Sequence, residues 1–323
     1  GKPKGVLYSH RSAVLSSLAY STADTFGTYR PGTLDAIMPI TPMFHGNAWQ
    51  IPYLAPMNGY KLVLPGRNFE PEQLYRLMET EAVTLTAGVP TIWEGLVAHL
   101  EATGQRFSTL RATLMSGLAP SADLLQKLEV GYGIAVAPIW GMTEAPATLK
   151  GTLKPGLDAL PLAERLAQKR KQGRLAYGTR FRLVEEDGAL LPHDGKSVGR
   201  LQVRGPWIAS GYYRGAEVGA VNTRWLDTGD IGRIGPDGYV EVTDRAKDVI
   251  KSGGEWISSV ALEDAALSHP AVVQAAAIPV PHPKWQERPL LLLVARSDAT
   301  PDVNSVRRHR AAQLASWWLP DEI

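Results

Sequence analysis

Leu110-Arg111-Ala112-Thr113-Leu114-Met115 is a short β-prone run, and the segments on either side of it decide the fold. Pro120 and Ser121 open a helical segment that turns Leu124, Leu125 and Leu128 to one side, and Gly131 stops it. Residues 134–139 are again apolar and β-prone. The same alternation extends upstream. Residues 33–40 read as a strand ending in a Pro-rich turn, and Pro71 opens a helix carrying Leu74, Leu77 and Met78. Residues 82–86 are a β-prone run. After Pro90 a second helix places Ile92, Trp93, Leu96, Val97 and Leu100 on one face, with Gly104 as its stop. Strand alternating with helix four times over predicts an α/β domain, a parallel sheet with helices on both faces.

Downstream the pattern changes. Residues 156–173 are a polar, helix-like insert. Short strands at 181–185, 199–204 and 239–243, separated by Asp-Gly turns, predict a small antiparallel β unit packed beside the first layer. A third pattern begins after Asp244: an extended pair at 249–250, a helix near 260–267, strands at 272–278 and 290–294, and a helix around 303–317. These predict a large domain over 1–243 and a smaller α+β domain over 244–323, with no internal repeat. Neither end reads as a natural terminus, so both domains are expected to be incomplete.

Composition narrows the function. Apolar residues are 44% and charged residues 20% of 323, enough for a large core. Lys and Arg number 34 against 32 Asp and Glu, a formal charge of +2, which argues against an extended nucleic-acid surface. Cysteine is absent, which removes thiolate chemistry and disulfides and fits a reducing, cytoplasmic compartment. The apolar runs are far short of the ~20 residues that span a bilayer. The histidines form no HxH or HExxH spacing. Gly195-Lys196-Ser197 lacks the earlier glycine of a phosphate loop, because Leu190 stands there. Gly131-Tyr132-Gly133 lacks the third glycine of a dinucleotide fingerprint, and Ser252 lacks the flanking glycine of a hydrolase elbow. The dense basic run of Arg165, Lys169, Arg170, Lys171 and Arg174 reads as a solvated helix face.

Five further segments stand in order along the chain. Gly1-Lys2-Pro3-Lys4-Gly5 has the glycines and lysines of a loop that cradles phosphate. Residues 42–49 are an aromatic segment bearing His45 and Trp49. Trp140-Gly141-Met142-Thr143-Glu144 closes a strand. Trp225-Leu226-Asp227-Thr228-Gly229-Asp230 reads as a turn ending in a carboxylate. Residues 244–256 are a charged hinge with Arg245, Lys247 and Lys251, followed by Gly253, Gly254 and Trp256. Singly, each has an ordinary reading. The lysines suit a solvated basic end, Thr143 and Glu144 a helix start, Arg245 a hinge ion pair, Trp49 a core indole and His45 a structural histidine. In this order they resemble the adenylate-forming (acyl-activating) superfamily, most closely its medium- and long-chain fatty acyl-CoA synthetases.

That resemblance implies a large α/β domain and a smaller mobile domain. It implies a two-step reaction: a fatty acid attacks the α-phosphorus of ATP, and CoA captures the acyl-adenylate. ATP, Mg²⁺ and CoA are the implied small molecules, with a fatty acid as partner substrate and a homodimer left open. Lys2 and Lys4 match the phosphate loop, and Thr143 and Glu144 the phosphate and Mg²⁺ contacts. Gly117, Ala119, Trp140 and Gly141 match the walls of the adenine site; Trp140 stands where the family usually has Tyr. Asp230 matches the carboxylate that accepts from the ribose hydroxyls, and Arg245 a nucleotide contact. Lys247 matches the hinge, and Lys251, Gly253, Gly254 and Trp256 the face presented for thioester formation. His45 and Trp49 match the acyl entrance and its gate. The family's hydroxyl-rich run before Gly1 and its lysine beyond Ile323 lie outside this sequence, so this polypeptide alone is expected to be a poor catalyst of the first step. Two rivals stay open, a ligase that loads a carrier protein and a silent adenylate-binding module.

Overall fold

The computed structural model describes residues 4–22, 25–26, 29–215, 225–296, 302–311 and 314–323. Its first part comprises β1 (Val6–Leu7), α1 (His10–Tyr20), β2 (Ala36–Ile40), α2 (Gly46–Trp49), α3 (Ile51–Asn58), β3 (Lys61–Leu62), α4 (Pro71–Thr80), β4 (Leu85–Gly88), α5 (Pro90–Thr103), β5 (Ala112–Met115), α6 (Ala122–Gln126) and β6 (Ala135–Met142). Strands β3, β2, β4, β5 and β6 lie side by side and parallel. Every residue of β2, β4 and β5 is buried, as strands with both faces covered require. Ile37 and Met38, successive on β2, enter different cores: Ile37 joins Ile51, Leu54 and Leu114, and Met38 joins Met78, Trp93 and Leu125. The helix signals hold. Pro71 and Pro90 each occupy a first turn, Ser121 accepts from the Leu124 N–H at 3.1 Å, and Gly104 adopts a left-handed φ of 69°.

The antiparallel strands do not pack beside this layer; they continue it. They are β7 (Ala145–Lys150), β8 (Gly173–Leu175), β9 (Arg180–Val184), β10 (Leu190–Leu191), β11 (Gly199–Arg204), β13 (Leu226–Ile234) and β14 (Tyr239–Arg245), with α7 (Leu162–Arg170) between β7 and β8. A two-residue strand, β12 (Gly211–Tyr212), pairs separately with β1. Strand β6 runs parallel to β5, then its last residues pair antiparallel with β7, Trp140 opposite Leu149. Through β7 and β8 the ladder passes to β14, giving one sheet of twelve strands among the described residues. The join is tight: a Cβ on Gly173, whose φ is +103°, would sit 2.0 Å from the Lys150 carbonyl oxygen. A second difference concerns 225–230, expected as a turn. Leu226 onward is strand instead, because Leu226, Thr228 and Asp230 alternate inward between β11 and β14.

Past Arg245 a separate sheet forms from β15 (Ile250–Ser252), β16 (Glu255–Ile257), β17 (Val272–His282) and β18 (Gln286–Ala295), in the order β16-β15-β18-β17. Ile250, Ile257, Leu262 and Leu291 fill its core beneath α8 (Ser259–Leu267). The last helix, α9 (Val303–Ala311), is shorter than expected, and Ser316–Trp318 is a 3-10 turn. No helix among the described residues is long and apolar enough to cross a membrane.

Asp244 ties the two sheets together. Its Oδ2 accepts from the Ser259 N–H at 2.5 Å, and its Oδ1 from the Ser259 hydroxyl at 3.1 Å and the Arg245 N–H at 2.7 Å. A buried carboxylate thus faces the positive end of α8. Arg170–Asp264, at 2.8 Å, and Lys251–Glu186 also bridge the two parts, but both are exposed and add little. Asp244→Ala leaves the Ser259 N–H without its acceptor. The expected loss is about 1–3 kcal/mol, read as a lower urea midpoint with faster tryptic cleavage at Lys247 and Lys251; an unchanged midpoint and cleavage rate would contradict this role.

Candidate active site

The carboxyl ends of the parallel strands open into a cleft of about 430 Å³, the usual ligand position in such sheets. Thr41 follows β2, Val89 follows β4, residues 116–120 follow β5, and Trp140 to Thr143 end or follow β6; all line it. The facing wall comes from Asp230 on β13 and from residues 242–245 of β14. Arg170, Gln172 and Val260 of α8 complete it.

Asp230 is the most buried charge in this cleft, 1% exposed. Trp140 donates its indole N–H to Oδ2 at 2.9 Å. Arg245, opposite Asp230 in the β13–β14 register, brings Nε to 3.0 Å from Oδ1. That contact is ionic only: its N–H is not aligned as a hydrogen bond, and Oδ1 has no donor among the described residues. A buried carboxylate oxygen with an ion pair but no hydrogen bond is uncommon, and on a residue of a cleft wall it suits a ligand hydroxyl. Burial pushes the Asp230 carboxyl above its ordinary range, although Arg245 and the Trp140 N–H pull the other way.

Trp140 therefore does more than present a flat face. Its N–H holds the carboxylate, and its ring meets Phe181 edge-on with centroids 5.4 Å apart. Gly117, Ala119, Gly141 and Thr143 are all on the cleft wall. Gly117 has φ +95°, a conformation that a side chain would strain.

Glu144 is next to Thr143 but is not on that wall. Its Oε1 accepts from the Tyr212 hydroxyl at 2.6 Å, and the hydroxyl's pKa is pushed up to about 12, first by this bond and then by burial. Lys4 Nζ lies 5.1 Å from the centroid of the same ring, where β1 pairs with β12. Lys4, Tyr212 and Glu144 thus form a cluster adjoining the cleft through Thr143. Lys2 lies outside the described residues.

His45 and Trp49 line the cleft. Residues 46–50 all have φ between 50° and 63°, and Trp49 and Gln50 bond back to His45 and Gly46, so α2 is one left-handed turn. Such a conformation costs about 1–2 kcal/mol per residue with a side chain. Buried Gln50, accepting from the Ser16 hydroxyl at 2.6 Å, helps to hold it.

The structure does not bring the remaining expected residues into the cleft. Lys247 is 80% exposed, 3.8 Å from Asp248. Lys251 pairs with Glu186, and its N–H donates to Glu287 at 2.8 Å. Gly253 lies under Trp285, 2.8 Å from where its Cβ would be, and Trp256 is opposite Lys251 on β16. Gly254 has open space beside it. All five belong to the second sheet or its approach.

Sequence reasoning missed Tyr20, Gln172 and Tyr212 and misread the basic run. Lys169 is 6% exposed, paired with Glu129, and Arg170 bonds the Pro120 carbonyl at 3.3 Å from the cleft wall. A signal existed: Leu162, Leu166 and Lys169 fall at i, i+4 and i+7, one helix stripe. Among the described residues no three His, Asp or Glu side chains group as a metal site.

A wide sheet whose parallel half ends in this cleft, followed by a small four-stranded unit, defines the adenylate-forming enzyme fold. The chain belongs to the AMP-binding enzyme family: residues 1–213 match that family and residues 261–323 its C-terminal domain. It is 42% identical to a 3-methylmercaptopropionyl-CoA ligase of Ruegeria lacuscaerulensis, over 100% of this chain and 60% of that protein. It is 44% identical to a long-chain-fatty-acid–CoA ligase of Thermus thermophilus, over 99% and 59%. The crystal structure of ATP-bound MatB from Rhodopseudomonas palustris superposes with a TM-score of 0.82 at 26% identity, covering 100% of this chain and 61% of that one. The chain spans about 60% of the length of these relatives.

A carboxyl whose pKa is raised on folding contributes its full stability below its unfolded pKa, and that contribution is lost as pH rises through the folded value. Asp230→Asn removes this ionisation. The melting temperature of the variant minus that of wild type is expected to become more positive from pH 4 to pH 8. A pH-independent difference would contradict the assignment.

Proposed function

We propose that the chain carries the nucleotide and acyl sites of an ATP-dependent acid–CoA ligase, acting on a medium- or long-chain fatty acid through an acyl-adenylate. Asp230, buried on the cleft wall with an Oδ1 that has no hydrogen-bond donor among the described residues, is the observation that carries this reading. In it, Asp230 accepts from the ribose and Arg245 keeps the carboxylate ionised beside the nucleotide. Gly117, Ala119, Trp140 and Gly141 bound the base, and Thr143 and Lys4 face the phosphates. Two anions, carboxylate and phosphate, must meet, so positive charge near the phosphates lowers the barrier. Glu144, oriented by Tyr212, is the carboxylate that would hold Mg²⁺. A single protein carboxylate suffices when substrate phosphates and water complete the shell, and the bound ion would screen phosphate charge. His45, Trp49, Val89, Met115 and Ile139 give the cleft lining a largely apolar group, which suits an apolar acid. The names of the Ruegeria and Thermus relatives, both acid–CoA ligases, support the class of reaction.

The same reading assigns 1–243 to the large domain and 244–323 to the small one, with Lys247 as hinge. Lys251, Gly253, Gly254 and Trp256 belong to a face presented only after the small domain turns, which is consistent with their distance from the cleft here.

Calorimetry tests the nucleotide half. Wild type is expected to bind AMP more tightly than 2′,3′-dideoxy-AMP, and Asp230→Ala to weaken AMP about 10- to 100-fold, the range for hydrogen bonds to a charged group. Equal binding of the two nucleotides by wild type would overturn the proposal.

A further inference from the structure

Helix α1 buries an unusual face. Its buried residues are Ser12, Ser16, Ser17 and Tyr20, so the one large group it turns inward is the phenol at its last position. Tyr20 is 3% exposed and lies on the cleft wall. It packs in the cluster of Ile37, Ile51, Leu54 and Ile139, against which Trp49 also rests. On β6, Ile139 joins this cluster, whereas the next residue, Trp140, joins the one beside Asp230. Successive strand residues point to opposite faces. Tyr20 and Asp230 therefore bound the cleft from different sides, one apolar and one charged.

The phenol is fixed. Lys150, 5% exposed, donates Nζ to the Ala19 carbonyl at the helix end, where a cation is favoured. Burial pushes the pKa of its hydroxyl well above the usual range, with the Ala147 backbone pulling the other way, so the ring stays neutral. A neutral, buried phenol in the same cluster as Trp49 and Ile139 offers an acyl chain an apolar wall.

We propose that Tyr20 is the floor of the acyl compartment and sets the longest chain accepted. The proposal rests on the ligase reading above and deepens it to a substrate class: unbranched apolar monocarboxylates up to a sharp length limit. Replacing the phenol by methyl opens on the order of 100 Å³, room for three or four more methylenes.

The test is calorimetric binding of 5′-sulfamoyladenosine and its N-acyl derivatives with 4 to 16 carbons (about two per step), as non-reactive adenylate mimics. In wild type, affinity is expected to rise about fourfold per methylene up to the limit and to fall about tenfold just beyond it. Tyr20→Ala should move the limit three or four carbons longer, Tyr20→Trp should shorten it, and Tyr20→Phe should leave it in place, since bulk and not the hydroxyl sets it. A limit that stays fixed in folded Tyr20→Ala and Tyr20→Trp proteins overturns the inference while leaving the ligase reading intact. Failure of wild type to bind unacylated 5′-sulfamoyladenosine overturns the ligase reading, and this proposal with it.

Discussion

A carboxylate held out of water needs partners, and the arrangement around Asp230 supplies them from three separate stretches of chain. Trp140 arrives at the end of β6, Arg245 at the end of β14, and Asp230 itself on the central strand β13. Each partner satisfies the charge only partly, so one oxygen has an ion pair but no hydrogen-bond donor among the described residues. The cost of that arrangement is visible in the raised pKa of the carboxyl. A buried acceptor without a hydrogen bond is unfavourable in the free protein, and a bound ligand that donates to it would recover part of the loss.

The β13–β14 register carries more than this one contact. It places Arg245 opposite Asp230 and, one step along, Asp244 opposite Ile231. Asp244 then reaches forward to α8. The cleft-lining carboxylate and the carboxylate that fastens the second sheet are thus set by one pair of strands. Whatever a ligand does to Asp230 and Arg245 acts one residue from the tie to α8, a direct physical route between cleft and small unit.

Much of the fold was legible because the parallel layer writes itself in short-range code. Prolines at helix starts, glycines at helix ends and buried strands of continuous apolar character fixed α4, α5, α6 and the strands between them. The edge-to-edge continuation through β7 and β8 was not legible, since it depends on Gly173 approaching Lys150 from over twenty residues away. Asp230 was picked out by its motif, but its place in a strand was hidden by Asp227, Thr228 and Gly229, which look like a turn locally; Thr228 and Gly229 form an irregularity within β13, which pairs with β11 at Leu226 and Asp227 before them and with β14 from Asp230 onward. The left-handed turn at 46–50 has no local signal beyond Gly46, because four of its residues carry side chains that oppose it. Tyr20 was invisible for a related reason: only the packing of α1 on α3 and β7 turns it to the cleft.

Of the groups expected to act together, Trp140, Thr143, Asp230 and Arg245 line one cleft, whereas Lys247 to Trp256 stand apart on the second sheet or its approach. In the proposed reading, nucleotide recognition turns on the first set. A crystal structure of this chain soaked with AMP reads it most directly. It should show a ribose hydroxyl within hydrogen-bond distance of Asp230 Oδ1 while Oδ2 stays on the Trp140 indole. AMP bound elsewhere on the molecule, or bound in the cleft with Asp230 Oδ1 still unpaired, would contradict it.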